Sequence, residues 1–316
     1  MIDFQYLRAG IRGLANAHKA GTMAGHLGAA VTAGYFFGED QNDLPGEVFS
    51  GIEGEIKRVM AGEESFWWNA KQAGVTSADL FQPLPREEPQ PDTINTIAEA
   101  LEKNVGETRQ SGHNIIFASI AIRALSDHTD LATKQAIAGI RKLIEGFHLA
   151  HAGRGYYGKH KGWLNGNQVT LAANDTFRQY GSIREMVDVT IGELIATAAV
   201  KKQGFGGLWH IVNHAAAITE LDRLGFQELA KRALPAHHQH IRLWRSLPDV
   251  EAELGTISKA EHDPRDPVYW KGMLKRDEAR LTHRIKTLYG YYILKRFIEK
   301  DGLRQKADDA FLYLMA

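Results

Sequence analysis

The sequence predicts an all-α protein made of helical hairpins, and three observations predict it. Apolar residues recur at three- and four-residue steps along most of the 316 residues. Segments that alternate every second residue are scarce. Three stretches, "GHLGAAVTAGYFF", "NIIFASIAIRAL" and "IVNHAAAITEL", are apolar on all sides, so other helices must surround them. Their Ala and Gly residues allow close helix approach. Such hairpins must stack to bury their faces, and the all-round apolar helices favour closing the stack into an α/α barrel or toroid. An open α-solenoid is the alternative.

The individual segments follow in order. In "PDTINTIAEALEKNV", Ile94, Ile97, Leu101 and Val105 form a stripe, and Pro91 and Asp92 suit a first turn. In "TKQAIAGIRKLIEGF" the stripe is Ile137, Ile140, Leu143, Ile144 and Phe147. The best strand candidate is the short "NQVTLAAN", 167–174. In "SIREMVDVTIGELIATAAV", Ile183, Val187, Ile191, Leu194, Ile195 and Ala198 recur helically, with Ser182 as cap and Glu185 three residues on. Two stretches lack a helical face. The Pro-rich 65–91 reads as a surface crossing, and the Gly- and aromatic-rich 151–181 reads as a long functional loop. The helical texture is the same on both sides of that loop, so a single domain over 1–316 is expected.

Composition narrows the function classes. The apolar fraction of 44% and charged fraction of 24% suit a globular chain. Lys+Arg and Asp+Glu both count 38, giving zero formal charge. No basic excess draws the chain to nucleic acid or to an anionic membrane. Cysteine is absent, which excludes disulfides, thiolate metal sites and cysteine nucleophiles. No apolar run approaches the ~18 residues of a membrane span. The N-terminus carries Asp3 and no apolar core, so a cytoplasmic location is expected. Zero net charge permits self-association.

The recurrent feature is a histidine at the start of an apolar helix: His26, His113, His210 and His283. The first two blocks match beyond the histidine. Asp40 and Asp127 each lie 14 residues after it, and Leu44 and Leu131 each lie 18 after it. In a barrel these helix starts converge, which gives a histidine-lined cavity mouth. The plainer reading is that each imidazole donates to a neighbouring loop carbonyl and fixes a helix start.

His210 and His214 stand one turn apart on one face and suit a shared divalent or redox metal, with His113, Glu220 or Asp222 as a further ligand. The intervening Ile-Val-Asn rules out the His-Glu-x-x-His protease motif. "PAHHQHIRLW" holds His237, His238 and His240 among polar neighbours and reads as an exposed helix end. "GEESFWW" sets Glu63 and Glu64 beside Trp67 and Trp68, and Tyr156 and Tyr157 occupy the 151–181 loop as acid–base candidates. Tyr289 and Tyr292 lie one turn apart after His283. Phosphate-binding, dinucleotide-binding and nucleophile-elbow motifs are absent. The expected function is an enzyme, oxidoreductase or hydrolase, acting on a small or medium organic molecule, with or without a metal. The alternative is a helical-repeat scaffold without catalysis.

Overall fold

The segments of helical period form helices. The computed structural model describes residues 1–64, 67–171, 177–272 and 281–316. Among these, α1 is Phe4–Ala17, α2 Gly25–Asp40, α3 Gly46–Ala61, α4 Ala70–Ala73, α5 Ser77–Leu80, α6 Asn95–Glu102, α7 His113–Asp127 and α8 Lys134–Glu145. There follow α9 Ile183–Thr197, α10 Gly207–Arg223, α11 Gln227–Ser246, α12 Glu251–Leu254, α13 Pro267–Trp270, α14 Leu281–Lys295 and α15 Asp301–Phe311. The chain is all-α. It gathers into two compact units, each assembled from separate stretches. The first comprises Met1–Lys103, Phe117–Phe147 and His262–Tyr289; the second comprises Asn104–Ile116, His148–Glu261 and Gly290–Ala316.

In the first unit, α1 packs on α2 and on α8, and α2 packs on α3. Asp3 caps α1 by accepting from Gln5 N at 2.8 Å. Residues Gly25 to Gly38 of α2 are all buried. Its contact with α1 is made by glycine. A Cβ on Gly28 would stand 2.3 Å from Leu14 N, and one on Gly10 would stand 2.2 Å from Thr32 Oγ1. The stripe of α8 is buried, and Thr133 caps that helix. Of the expected crossing at 65–91, positions 65–66 lie outside the described residues, and the part around Leu80 to Gln90 lies against this body. Asn16 donates to Leu80 O (3.0 Å), and Gln90 N donates to Ala132 O (2.7 Å). Asp40 and Asp127, matched in sequence after their histidines, share one partner: the Arg123 guanidinium reaches Asp40 at 2.7 Å and Asp127 at 3.3 Å.

In the second unit, α9, α10 and α11 pack on one another, and α15 packs on α9. Ser182 caps α9 by accepting from Glu185 N (3.1 Å), while Glu185 turns back to Gly181 N (2.8 Å). The strand expected at 167–174 is not formed over its described part. Positions 166–168 make a 3₁₀ turn, and 172–174 lie outside the described residues. The strands are instead β1 (Arg154–Tyr156) and β2 (Trp163–Asn165), an antiparallel pair with Gly155 opposite Leu164. Gly155 and Gly204 also pair, with a Cβ on Gly204 only 2.3 Å from Gly155 Cα. Only glycine permits that approach. The pattern at 167–174 lacks a second alternating run beside it, whereas the Gly-flanked 154–165 closes on itself as a hairpin.

The three histidines of "HHQH" are a second correction. His237, His238 and His240 are buried in the body of α11, not exposed at its end. Ala233, His237, His240 and Trp244 follow at four- and three-residue steps, so the imidazoles lie on the apolar face. The charged residues that suggested exposure lie off that face. Arg245, for one, reaches Glu193 at 2.7 Å.

Candidate functional site

All four leading histidines lie in the first turn of their helices, and each unit pairs two of them. In the second unit the His113 and His210 rings meet edge to face, with centroids 4.4 Å apart. Their orientation is set by the backbone. His113 Nδ1 donates to Gln110 O, and His210 Nδ1 donates to Ser111 O at 3.3 Å. A carbonyl only accepts, so each ring carries its proton on Nδ1 and its lone pair on Nε2. The plainer expectation, donation to loop carbonyls, therefore describes both rings. It also produces the tautomer that a base or metal ligand needs.

His214, His237 and His240 form a second imidazole group in this unit. His240 Nε2 donates to Phe205 O (2.7 Å), which leaves a lone pair on its Nδ1. That Nδ1 is 3.2 Å from Nδ1 of His214. His214 must then donate from Nδ1, and its Nε2 carries a buried lone pair without a hydrogen-bond partner among the described residues. His237 Nε2 donates to Ile211 O (3.2 Å), and its Nδ1 accepts from the Tyr180 hydroxyl (3.2 Å). Burial pushes His237 down to about 3 and His240 to about 4. Burial, followed by the neighbouring imidazoles, holds His214 well below the usual histidine range. All three are neutral at pH 7.

The backbone around these rings is strained. Four non-glycine residues among those described adopt a left-handed φ: Gln110 (44°), Ser111 (59°), Leu149 (62°) and Phe205 (47°). Three of the four present the carbonyls that fix His113, His210 and His240. Such conformations cost about 1–3 kcal/mol each and collect at functional sites. Glycine makes the remaining room. A Cβ on Gly112 (φ 84°) would stand 2.6 Å from His214 Cγ, and one on Gly206 (φ 74°) would stand 2.2 Å from His210 Cγ.

No family model, curated protein or solved structure matches this chain.

In the first unit, His26 donates from Nδ1 to Met23 O (2.8 Å) and stacks on Trp67, centroids 4.0 Å apart and planes 8° apart. His283 lies 5.3 Å from His26 and 5.3 Å from Trp67, ring to ring. Its Nδ1 is 3.9 Å from Glu64 Oε1. Glu64 is fully buried, and its other oxygen accepts from Thr282 N at 2.6 Å. One turn beyond His283 on α14, Lys286 is buried too.

The other candidates are placed differently. Tyr156 donates to Glu253 (2.8 Å), and the Tyr157 hydroxyl bonds Ser246 (2.7 Å), so both hydroxyls are engaged at the hairpin and not with an imidazole. Glu220 pairs with Arg223 at 3.0 Å, toward the far end of α10 from His210. Tyr289 accepts from Arg123 at 3.0 Å. Reading from sequence missed His237, His240 and Lys286 as site members. The available signal was spacing: the two histidines share a face with Ala233 and Trp244, and Lys286 stands three residues after the leading histidine of α14, on the same face.

Proposed function

We propose that the protein is an enzyme that acts on a small or medium organic molecule by imidazole acid–base chemistry in its second unit. One observation carries this reading: three strained, non-glycine carbonyls each fix the tautomer of a buried histidine. A core needs no such strain, since an apolar side chain at those positions would start or pack the helix without it. In this reading the Nε2 lone pairs of His113 and His210 take a proton from the substrate. His240, held by the Phe205 carbonyl, accepts from His214 Nδ1 and so keeps the His214 lone pair on Nε2. Proton transfer of this kind is the common step of the hydrolytic and oxidative classes, and a positioned imidazole typically contributes 10²–10⁴-fold.

The same donors suit a divalent or redox metal. His210 and His214 offer Nε2, and in both the opposite nitrogen already donates to a fixed acceptor, as in metal-binding histidines. A cytoplasmic protein with a closed α/α arrangement and a small-molecule partner belongs to the same proposal. Two measurements on tag-free protein test it. Elemental mass spectrometry reads metal content; a near-stoichiometric metal that is lost in His210→Ala and His214→Ala assigns it to these residues. Incubation with a complex small-molecule extract, followed by mass spectrometry, reads turnover. At least one compound should be consumed by the natural protein and, at least 10²-fold more slowly, by His210→Ala. No consumption by the natural protein, with or without added divalent metal, would favour the helical-repeat scaffold.

A further inference from the structure

The first unit holds a group that the imidazole reading does not use. Lys286 is 3% exposed, and its Nζ has no hydrogen-bond partner among the described residues. The Nζ lies over the Phe117 ring at 5.7 Å. Its nearest charge influence is Glu64, whose Oε2 is already committed to Thr282 N and whose Oε1 faces His283 at 3.9 Å. A buried lysine held for structure is ordinarily paired at hydrogen-bond distance. This one lies over the Phe117 ring, feels the Glu64 carboxylate, and stands one turn beyond His283 on α14, with Trp67 and His26 next to His283.

We propose that Lys286 is a covalent amine, forming an imine with an aldehyde or ketone carried on an apolar or aromatic skeleton. The Nζ lone pair attacks the carbonyl carbon, a C–N bond forms, and the carbonyl π pair moves to oxygen. The proton shed by nitrogen passes to that oxygen, giving a carbinolamine. The hydroxyl then leaves as water after taking a second proton, the nitrogen lone pair closes the C=N bond, and the nitrogen returns its remaining proton to the group that supplied the second one. Glu64 and His283 are the groups placed to carry those protons; His26 lies behind His283. Amine and carbonyl are thus converted to imine and one water, with no oxidant or reductant needed. Burial supports the step by pushing the amine down to about 7, against the opposing influence of Glu64, so the nucleophilic form is abundant at neutral pH.

The test uses the full chain, benzaldehyde and cyanoborohydride at pH 7 with brief exposure, followed by peptide mapping. An ordinary lysine at this pH is neutral in about one molecule in 2,000, so benzylation should concentrate on Lys286 at least tenfold over any other lysine. Its labelling should rise with a midpoint near pH 7. Lys286→Arg should remove the label from that peptide. Glu64→Gln should move that midpoint to lower pH, because the carboxylate favours the ammonium form, while lowering the labelling rate on the plateau, because a proton carrier is lost. Absence of label on Lys286 while other lysines react would overturn the proposal. So would a pH profile that follows theirs. The profile of the natural protein decides the matter if Glu64→Gln does not fold, and neither result depends on finding turnover at the imidazoles of the second unit.

Discussion

Lys286 shows how a single buried group tilts the stability of the chain. Its amine titrates near 7 when folded and near 10.4 when unfolded. Between those values the unfolded chain binds more protons, so stability rises with pH through the window from about 7 to about 10. Below pH 7 the full penalty is present. Lys286→Met should therefore stabilise the protein at pH 6.5 by about 1–3 kcal/mol, with Glu64, then alone, offsetting part of the gain. The gain should shrink by pH 9.5. Urea unfolding at the two pH values checks this, and a variant less stable at pH 6.5 would show that the ammonium is better solvated than its burial implies. His214 is the second such residue. Its Nε2 lone pair lies buried without a partner, at a cost of about 1–3 kcal/mol.

Elements are positioned by residues that lack a side chain. The α1–α2 crossing closes over Gly10 and Gly28, where any Cβ would overlap the opposing helix. Gly28→Ala should cost about 2–4 kcal/mol, as overpacking against backbone cannot relax by rotamer change; thermal unfolding reads it. The start of α10 follows the same logic with a functional readout. Gly206→Ala would place a methyl on the His210 ring and force a left-handed residue to carry a Cβ. It should destabilise by about 1–3 kcal/mol, and it should lower any turnover as strongly as His210→Ala does. Loss of stability with turnover unchanged would detach His210 from the chemistry. Arg123 joins α7 to α2 through Asp40 and bonds Tyr289. Because it binds Asp40 through two nitrogens, Arg123→Lys is not conservative and should cost about 1–2 kcal/mol in the same assay.

Over the whole molecule the buried imidazoles set the acid limit. His237 and His240 titrate near 3 and 4 when folded, against about 6.5 unfolded, and His214 is lowered as well. Each depressed base makes the unfolded state bind more protons as pH falls below 6.5. Metal-free protein should thus lose roughly 4 kcal/mol of stability per pH unit between pH 6 and pH 4.5, about 1.4 for each of the three histidines. Denaturant unfolding across that range checks the slope. The double variant His237→Asn/His240→Asn should flatten it by about two thirds. An unchanged slope would assign acid sensitivity to other groups.

Much of this was legible in the chain. Helical period placed α6, α8 and α9; the Ser182 cap and the glycine contacts of α2 were readable from residue type; and the four helix-start histidines stand in their first turns. These features depend on neighbours a few residues apart, which sequence displays directly. Which groups meet across long separations was not legible. Glu64 and Thr282 are 218 residues apart, and Ser111 and His210 are 99 apart. The polar company of His237 and His240 hid the face they share. The helices, their apolar faces and the recurrence of histidine at their starts follow from residue order, because local geometry follows local residue type. Only the packed chain shows which lone pairs and which amine are buried without partners among the described residues. Desolvation and hydrogen bonding depend on what the rest of the chain brings to that point.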